Sequence, residues 1–117
     1  MVDYKMRIAI PTLNNMLCPH FGHCASFTFV DVDEDTRKVI ATEQVSAPEH
    51  EPGLLPRWVR ERGADLVIAG GMGSRAQQLF AQNGVKVIVG APVGPPAETA
   101  KAYIEGTLET GENVCAH

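Results

Sequence analysis

The residues most able to bind a metal are concentrated in one short stretch. Residues 18–24 read Cys-Pro-His-Phe-Gly-His-Cys, which places two thiols and two imidazoles within seven positions. Thiolate and imidazole are ligands of zinc, copper and iron–sulfur sites. The candidate metal ligands are therefore Cys18, His20, His23 and Cys24. Because the spacing is not the Cys-x-x-Cys of a zinc ribbon or a thioredoxin-type pair, a polar loop with partly buried thiols is an equally open interpretation.

A glycine-rich stretch offers a second kind of chemistry. Residues 70–75 read Gly-Gly-Met-Gly-Ser-Arg and lie between a predicted strand and a predicted helix. The N–H groups and the dipole of a helix N-terminus favour an anion, and open α/β sheets bind ligands at the carboxyl ends of their strands. The stretch matches neither a dinucleotide fingerprint nor a Walker loop, and a tight turn that requires glycine is the alternative. The candidate cofactor-binding residues are His20 and His23 with Gly71, Met72, Gly73, Ser74 and Arg75.

Two other segments that contain histidine are weaker candidates. Cys115 and His117 place a thiol and an imidazole two positions apart at the C-terminal end of the sequence. They could reach a metal, but chain ends are often frayed, and a frayed tail is the interpretation favoured here. His50 lies between two glutamates and is predicted to be solvated.

The two main stretches together predict one composite site. A plain divalent cation would not need a helix N-terminus, and a plain oxyanion would not need thiols. An anionic metal–sulfur cluster would use both, because N–H groups bind its sulfides and soft side chains contact its metals. The sequence therefore predicts a metal–sulfur cluster as the bound group.

Hydrophobic periodicity and turn residues predict the elements that position this site. Strands are predicted at 6–11 (ended by Pro11), 27–32, 39–45, 65–69 and 85–89, and helices at 54–62, 75–83 and 97–104 with Ser74 as an N-cap. The stretch 12–25 is predicted to be a loop, of a length that usually indicates function. A polar turn at 34–37 joins the second and third strands into a hairpin. Each strand-helix-strand passage predicts neighbouring parallel strands, which gives a mixed five-stranded sheet with helices on its faces.

Composition limits the class of protein. The chain has 117 residues, 44% of them apolar and 21% charged, which predicts one globular domain over residues 1–117. A net charge of −4 and scattered basic residues do not indicate nucleic-acid binding. No apolar run approaches the roughly 20 residues of a membrane span, and the N-terminus does not resemble a signal peptide. We therefore expect a cytoplasmic protein whose three cysteines are reduced.

Three segments, in this order along the chain, resemble the dinitrogenase iron–molybdenum cofactor biosynthesis family. They are 6–11 (MRIAIP), 19–22 (PHFG) before a strand rich in Phe, and 63–73, in which Gly-Ala-Asp runs into Val-Ile-Ala-Gly-Gly-Met-Gly. The resemblance covers nearly the whole chain.

That resemblance implies a ribonuclease H-like α/β fold with a mixed five-stranded sheet. It also implies a non-catalytic protein that binds or carries a metal–sulfur cluster, containing molybdenum with iron or copper and expected to be lost on purification. Family members include small carriers related to nitrogenase cofactor assembly and the orange protein of sulfate reducers, which holds a molybdenum–copper sulfide cluster without covalent attachment. His20 and residues 70–75 are the cluster-binding positions it implies, with cluster donor and recipient proteins as partners. Cys18 and Cys24 are not part of the family pattern, so the metals of the cluster stay open.

Two other functions are open to the sequence. A mononuclear metal site or redox sensor would use Cys18, Cys24 and His20, with Cys115 as a further thiol. A two-metal nuclease of the ribonuclease H type would use Asp31, Asp33 and Asp65, but an acidic chain without a basic groove does not favour it, and a fold alone does not assign a function.

Overall fold

The structure is a computed structural model that describes residues 5–49 and 53–111 and, of His23, the backbone alone. Its elements, in chain order, are β1 Lys5–Leu13, β2 Met16–Leu17, a 3-10 turn Phe21–His23, β3 Ser26–Asp33, β4 Lys38–Ser46, α1 Leu54–Glu61, β5 Leu66–Ile68, α2 Ser74–Gln82, β6 Lys86–Ile88 and α3 Pro96–Glu105. Every predicted strand and helix is present, with bounds that differ by a residue or two. Among the helices of these described residues, none is long and apolar enough to cross a membrane.

The strands form one mixed sheet in the order β4-β3-β1-β5-β6, and the two-residue β2 pairs with the end of β1. β3 pairs antiparallel with β1 and with β4, whereas β5 pairs parallel with β1 and with β6. The predicted α/β class with a mixed sheet is confirmed, and β2 is an additional strand. One topological prediction was wrong: β4 and β5 are not neighbours, because the passage through α1 crosses β3 and β1.

Apolar side chains on both faces of the sheet are covered by helices. Alternate residues of a strand point to opposite faces, so β1 directs Ala9 towards α1 and α2 and directs Ile8 and Ile10 towards α3. Leu66–Ile68 is buried along its whole length, as expected for a parallel strand covered on both faces. The α1 and α2 layer also holds Phe27, Phe29, Leu55, Val59 and Phe80, and the α3 layer holds Val30, Val32, Ile68 and Ala100.

Strand β1 does not end at Pro11 as predicted. It continues to Leu13, turns at Asn14 and Asn15 with left-handed φ angles of 55° and 64°, and returns as β2. The carbonyl of Pro11 accepts the N–H of Cys18 at 2.9 Å, on the side of β1 that faces away from β3. The N–H that proline lacks would lie on that same side, so the β1–β3 pairing does not need it. The stretch 12–25 is therefore part strand and part 3-10 turn rather than only a loop.

Aromatic contacts attach the Cys/His stretch to this framework. The Phe21 ring packs edge-on against Phe80 of α2 and against Phe27 of β3, with ring centroids 5.6 Å and 6.1 Å apart. The side chain of Phe80 is fully buried. The 3-10 turn is thus held against α2 by apolar packing.

Phe80→Ala should cost about 3–5 kcal/mol of unfolding free energy, because it removes a fully buried ring and leaves a cavity under the 3-10 turn. Urea denaturation followed by circular dichroism measures this loss. Val93→Ala, at a side chain 57% exposed, is the control and should change stability by no more than about 0.5 kcal/mol. Equal effects of the two substitutions would contradict the packing described.

Candidate functional site

Backbone hydrogen bonds join the Cys/His stretch to the glycine-rich stretch. The N–H of Phe21 donates to the carbonyl of Gly71 at 2.9 Å, and the N–H of Gly71 donates to the carbonyl of Pro19 at 2.8 Å. The two segments thus form a parallel bridge between His20 and Gly71. The two stretches that the sequence singled out separately lie side by side in the structure.

The bridge lies at the edge where three parallel strands end. β1, β5 and β6 run in one direction, so the segments that follow them emerge together. The segment after β6 is tied to both of the others. The N–H of Gly90 donates to the carbonyl of Gly70 at 2.6 Å, and the N–H of Leu17 donates to the carbonyl of Gly94 at 2.8 Å. This is the carboxyl edge of the sheet, where ligands bind in open α/β folds.

Gly70 allows the close approach of the first two segments. A Cβ at this position would lie 3.0 Å from both the Cα and the carbonyl oxygen of Pro19, and 3.2 Å from the carbonyl oxygen of Cys18. These neighbours are backbone atoms, which move less easily than a flexible side chain. A side chain at this position would therefore force the two segments apart by a few tenths of an ångström.

The N-terminus of α2 opens beside the bridge. Gly73 is its N-cap, with extended dihedral angles of φ −66° and ψ 156°. The prediction of Ser74 as N-cap was wrong, because Ser74 is already the first helical residue. The first turn of α2 (Ser74–Gln82) contains no acidic residue, and the N-cap of this helix makes no side-chain hydrogen bond. The N–H groups of this turn point out of the helix end without intrahelical partners, and the helix dipole makes the end positive.

A second helix N-terminus is directed to the same edge. β4 runs parallel to β1 and ends at this edge, so α1, which follows β4, begins there. The N-cap of α1 (Leu54–Glu61) is Gly53. The first turn of this helix also lacks an acidic residue, and its N-cap makes no side-chain hydrogen bond. The sequence analysis missed this feature, although a glycine before an uncapped helix without acidic residues was visible in the sequence.

The predicted cofactor-binding residues differ in exposure. His20, Ser74 and Arg75 are exposed, whereas Gly71 and Met72 are buried. The N–H of Gly71 is already bonded to Pro19, and Met72 packs in the core layer beneath the loop. Gly73 is half-buried at the helix cap.

Both thiols of the Cys/His stretch lie in the core. Cys18 is 1% exposed and Cys24 is 5% exposed. The Sγ–H of Cys18 donates to the carbonyl of His20 at 3.0 Å. Burial, with a contribution from the nearby Cys18, raises the pKa of the Cys24 thiol to about 12. A thiol binds metals as the thiolate, so the raised pKa disfavours Cys24 as a ligand, and Cys18 is buried beside it in the core.

The other predicted ligands can be placed only in part. The backbone of His23 ends the 3-10 turn, whereas His50, Cys115 and His117 lie outside the described residues. Among the residues that the structure does describe, no group of three or more His, Cys, Asp or Glu side chains is arranged to hold a metal ion.

The carboxylates of the nuclease alternative have structural partners. Arg7 donates through its Nε to one oxygen of Asp31 at 3.1 Å and through a terminal nitrogen to the other at 3.2 Å. One carboxylate oxygen of Asp65 accepts the N–H of Arg7. A carboxylate oxygen of Asp33 accepts the N–H groups of Asp35 and Thr36 in the hairpin turn. These interactions lie at the opposite edge of the sheet from the glycine-rich segment.

Comparison with known proteins identifies the family. Residues 4–106 match the family described as dinitrogenase iron-molybdenum cofactor. The chain is 32% identical over 110 residues to the uncharacterized protein MJ0580 of Methanocaldococcus jannaschii, an alignment that covers 92% of each chain. The chain belongs to the dinitrogenase iron-molybdenum cofactor family, as the resemblance predicted.

Solved structures agree with the fold. The crystal structure of PH0822 matches with a TM-score of 0.83 and 33% identity, covering 92% of this chain and 96% of that one. The apo form of the orange protein from Desulfovibrio gigas matches with a TM-score of 0.68 and 22% identity, covering 96% of this chain and 98% of that one. The predicted α/β class, with a mixed sheet flanked by helices, is thereby confirmed.

Gly70→Ala should destabilise the protein by about 1–3 kcal/mol, because the new methyl group forces the backbones of the two site segments apart. Gly94→Ala is the matched control at the same edge, where a Cβ would meet no atom within 4 Å. Urea denaturation of the two variants gives the comparison. A Gly70→Ala protein as stable as the control would show that the close approach does not constrain the site.

The buried thiols should react slowly with iodoacetamide in the folded protein. In a Cys115→Ser background, the raised pKa alone, about 12 against 9.0, lowers the thiolate fraction of Cys24 by about a thousand-fold at neutral pH. Mass spectrometry of peptides modified with and without urea measures the protection of Cys18 and Cys24. Modification at the rate of the unfolded chain would contradict their burial.

Proposed function

We propose that this protein is a cytoplasmic, non-catalytic carrier of an anionic metal–sulfur cluster that contains molybdenum together with iron or copper. The observation that carries the proposal is the backbone bridge that places exposed His20 beside the uncapped N-terminus of α2. That arrangement combines a soft metal ligand with an anion-binding helix end, in a chain of the iron-molybdenum cofactor family. The cluster would be the protein's cargo rather than a resident cofactor.

The anionic part of the cargo would be held by α2. The N–H groups of its first turn, at Ser74, Arg75 and Ala76, donate to the sulfides, and the exposed Arg75 guanidinium adds positive charge. Gly71 is not a donor in this arrangement, because its N–H is bonded to Pro19. Gly71 and the buried Met72 instead fix the loop that precedes the helix.

Residues of the segment around the 3-10 turn would bind the metals of the cargo. The imidazole of His20 is exposed at the bridge and is a suitable ligand for copper or iron. His23, three residues further along, is the second imidazole of the same segment. Two imidazoles and a positive helix end orient a cluster without a covalent thiolate bond.

An exposed site suits a protein that gives up its cargo. His20, Ser74 and Arg75 all lie at the surface, so a cluster bound there stays accessible to a donor and to a recipient protein. A deeply enclosed site would slow release and would suit storage better than transfer.

The alternative of a mononuclear metal or redox sensor at Cys18 and Cys24 has less support. It needs thiolates that a metal or an oxidant can reach, but both sulfurs are buried and the pKa of Cys24 is raised to about 12. No observation among the described residues favours it over the carrier.

Incubation with tetrathiomolybdate and either Cu(I) or Fe(II), without oxygen, tests the proposal. After desalting, the wild-type protein should retain molybdenum together with sulfide and show a new visible absorption band. Arg75→Gln should weaken retention at least about tenfold, since a charge-assisted contact contributes about 1.5–3 kcal/mol. His20→Gln should also weaken retention, because it removes the imidazole ligand. Lys101→Gln, at an exposed position of α3, is the charge-matched control and should retain the cluster as wild type does.

Retention of copper alone, with no molybdenum or sulfide, would overturn the carrier and favour the mononuclear alternative. Equal retention by Arg75→Gln, His20→Gln and the control would place the cargo at another position.

A further inference from the structure

Two hydrogen bonds from Gln77 hold the residues that precede α2. Its backbone N–H donates to the carbonyl of Gly73 at 3.2 Å, and its side-chain Nε2 donates to the carbonyl of Met72 at 2.9 Å. The first of these is the first backbone bond of the helix. The second comes from a half-buried side chain that reaches back past the N-cap, in the direction in which helical side chains lean. The Met72 carbonyl is therefore fixed by a side chain of α2 itself.

The orientation of the Met72 carbonyl also sets the direction of the Gly73 N–H. A trans peptide group is planar, so its C=O and its N–H point in opposite directions. Because the carbonyl points along the helix towards Gln77, the N–H of Gly73 points out of the helix end, as the N–H groups of the first turn do. The helical bonds begin at Gln77, so the N–H groups of residues 73–76 have no intrahelical partner.

We propose that Gln77 is a positioning residue of the cargo site. Its carboxamide holds the peptide group between Met72 and Gly73 so that the Gly73 N–H becomes a fourth donor to an anionic metal sulfide, beside the three N–H groups of the first turn. The inference rests on the proposed function, since the sulfide cargo is the anion that this donor would bind. It gives a part in binding to a residue that the sequence analysis did not single out.

The opposite orientation of this peptide group would disfavour the cargo. A rotation by half a turn would bring the Met72 carbonyl oxygen, which carries partial negative charge, to the helix end and would direct the Gly73 N–H away from it. Glycine makes such a rotation easy, because it has the widest range of backbone dihedral angles. The φ of −66° and ψ of 156° at Gly73 are ordinary extended values, so the observed orientation carries no strain. The bond from Gln77 favours this orientation over the rotated one.

Binding of tetrathiomolybdate alone tests the inference. Gln77→Met removes the side-chain donor with little change in length, and Gln78→Met is the matched control at the neighbouring, exposed glutamine of α2. Dissociation constants are measured by visible absorption titration without oxygen, at a temperature where all the proteins are folded. Gln77→Met should weaken binding at least about tenfold, which corresponds to the loss of one charge-assisted hydrogen bond, whereas Gln78→Met should stay within about twofold of wild type.

A second measurement needs no variant. In 15N-labelled wild type titrated with tetrathiomolybdate, the backbone amide of Gly73 should shift together with those of Ser74 and Arg75. A purely structural role of Gln77 would lower the stability of Gln77→Met and would change neither its dissociation constant nor the response of the Gly73 amide.

The outcomes separate this inference from the proposed function. If wild type binds tetrathiomolybdate but Gln77→Met binds it as tightly as Gln78→Met does, the inference is overturned and the carrier stands. An unmoved Gly73 amide in wild type that binds tetrathiomolybdate overturns the inference in the same way, even where Gln77→Met does not fold. If wild type binds no tetrathiomolybdate, alone or with copper or iron, the proposed function is overturned and the inference with it.

Discussion

The close backbone contact between residues 18–21 and residues 70–71 is the constraint on which the candidate site depends. Two hydrogen bonds at Gly71 make the contact, and the absence of a side chain at Gly70 makes room for it. The contact places an imidazole from the segment after β1 beside the helix that follows β5. Without it, His20 and the N-terminus of α2 would belong to two separate loops.

Local charge at this edge differs from the charge of the whole chain. The sequence carries a net charge of −4, which would by itself repel an anionic cargo. The N-termini of α1 and α2 both open at the carboxyl edge without an acidic residue in their first turns, and Arg75 adds a guanidinium there. Aligned backbone dipoles and a few nearby charges determine the potential at a binding site more than the net charge does. An anion is therefore favoured at this edge despite the acidic composition.

The sequence predicted the elements well because hydrophobic periodicity and glycine positions are local signals. It could not show which strands pair, and the crossing of α1 over β3 and β1 is a consequence of packing the whole sheet. The prediction that Pro11 ends β1 was wrong because the free-energy cost of the N–H that proline lacks depends on which side of the strand is paired. The thiols depend on packing in a similar way: Cys18 and Cys24 have the residue type of ligands, but whether a small sulfur side chain binds a metal or fills the core is decided by tertiary packing. The sequence predicted that residues 18–24 and 70–75 lie together, whereas the backbone contacts at Gly70 and Gly90 appear only when distant segments are brought together.

The most direct test of the central claim is a map of backbone amide shifts in a 15N-labelled protein titrated with tetrathiomolybdate and Cu(I) without oxygen. The account predicts that the largest changes fall on Ser74, Arg75 and Ala76 and on His20, because these groups would contact the cargo. Changes concentrated instead at the hairpin of β3 and β4, or along β6, with the amides of α2 unchanged, would contradict the claim that an anionic cluster binds at this helix end.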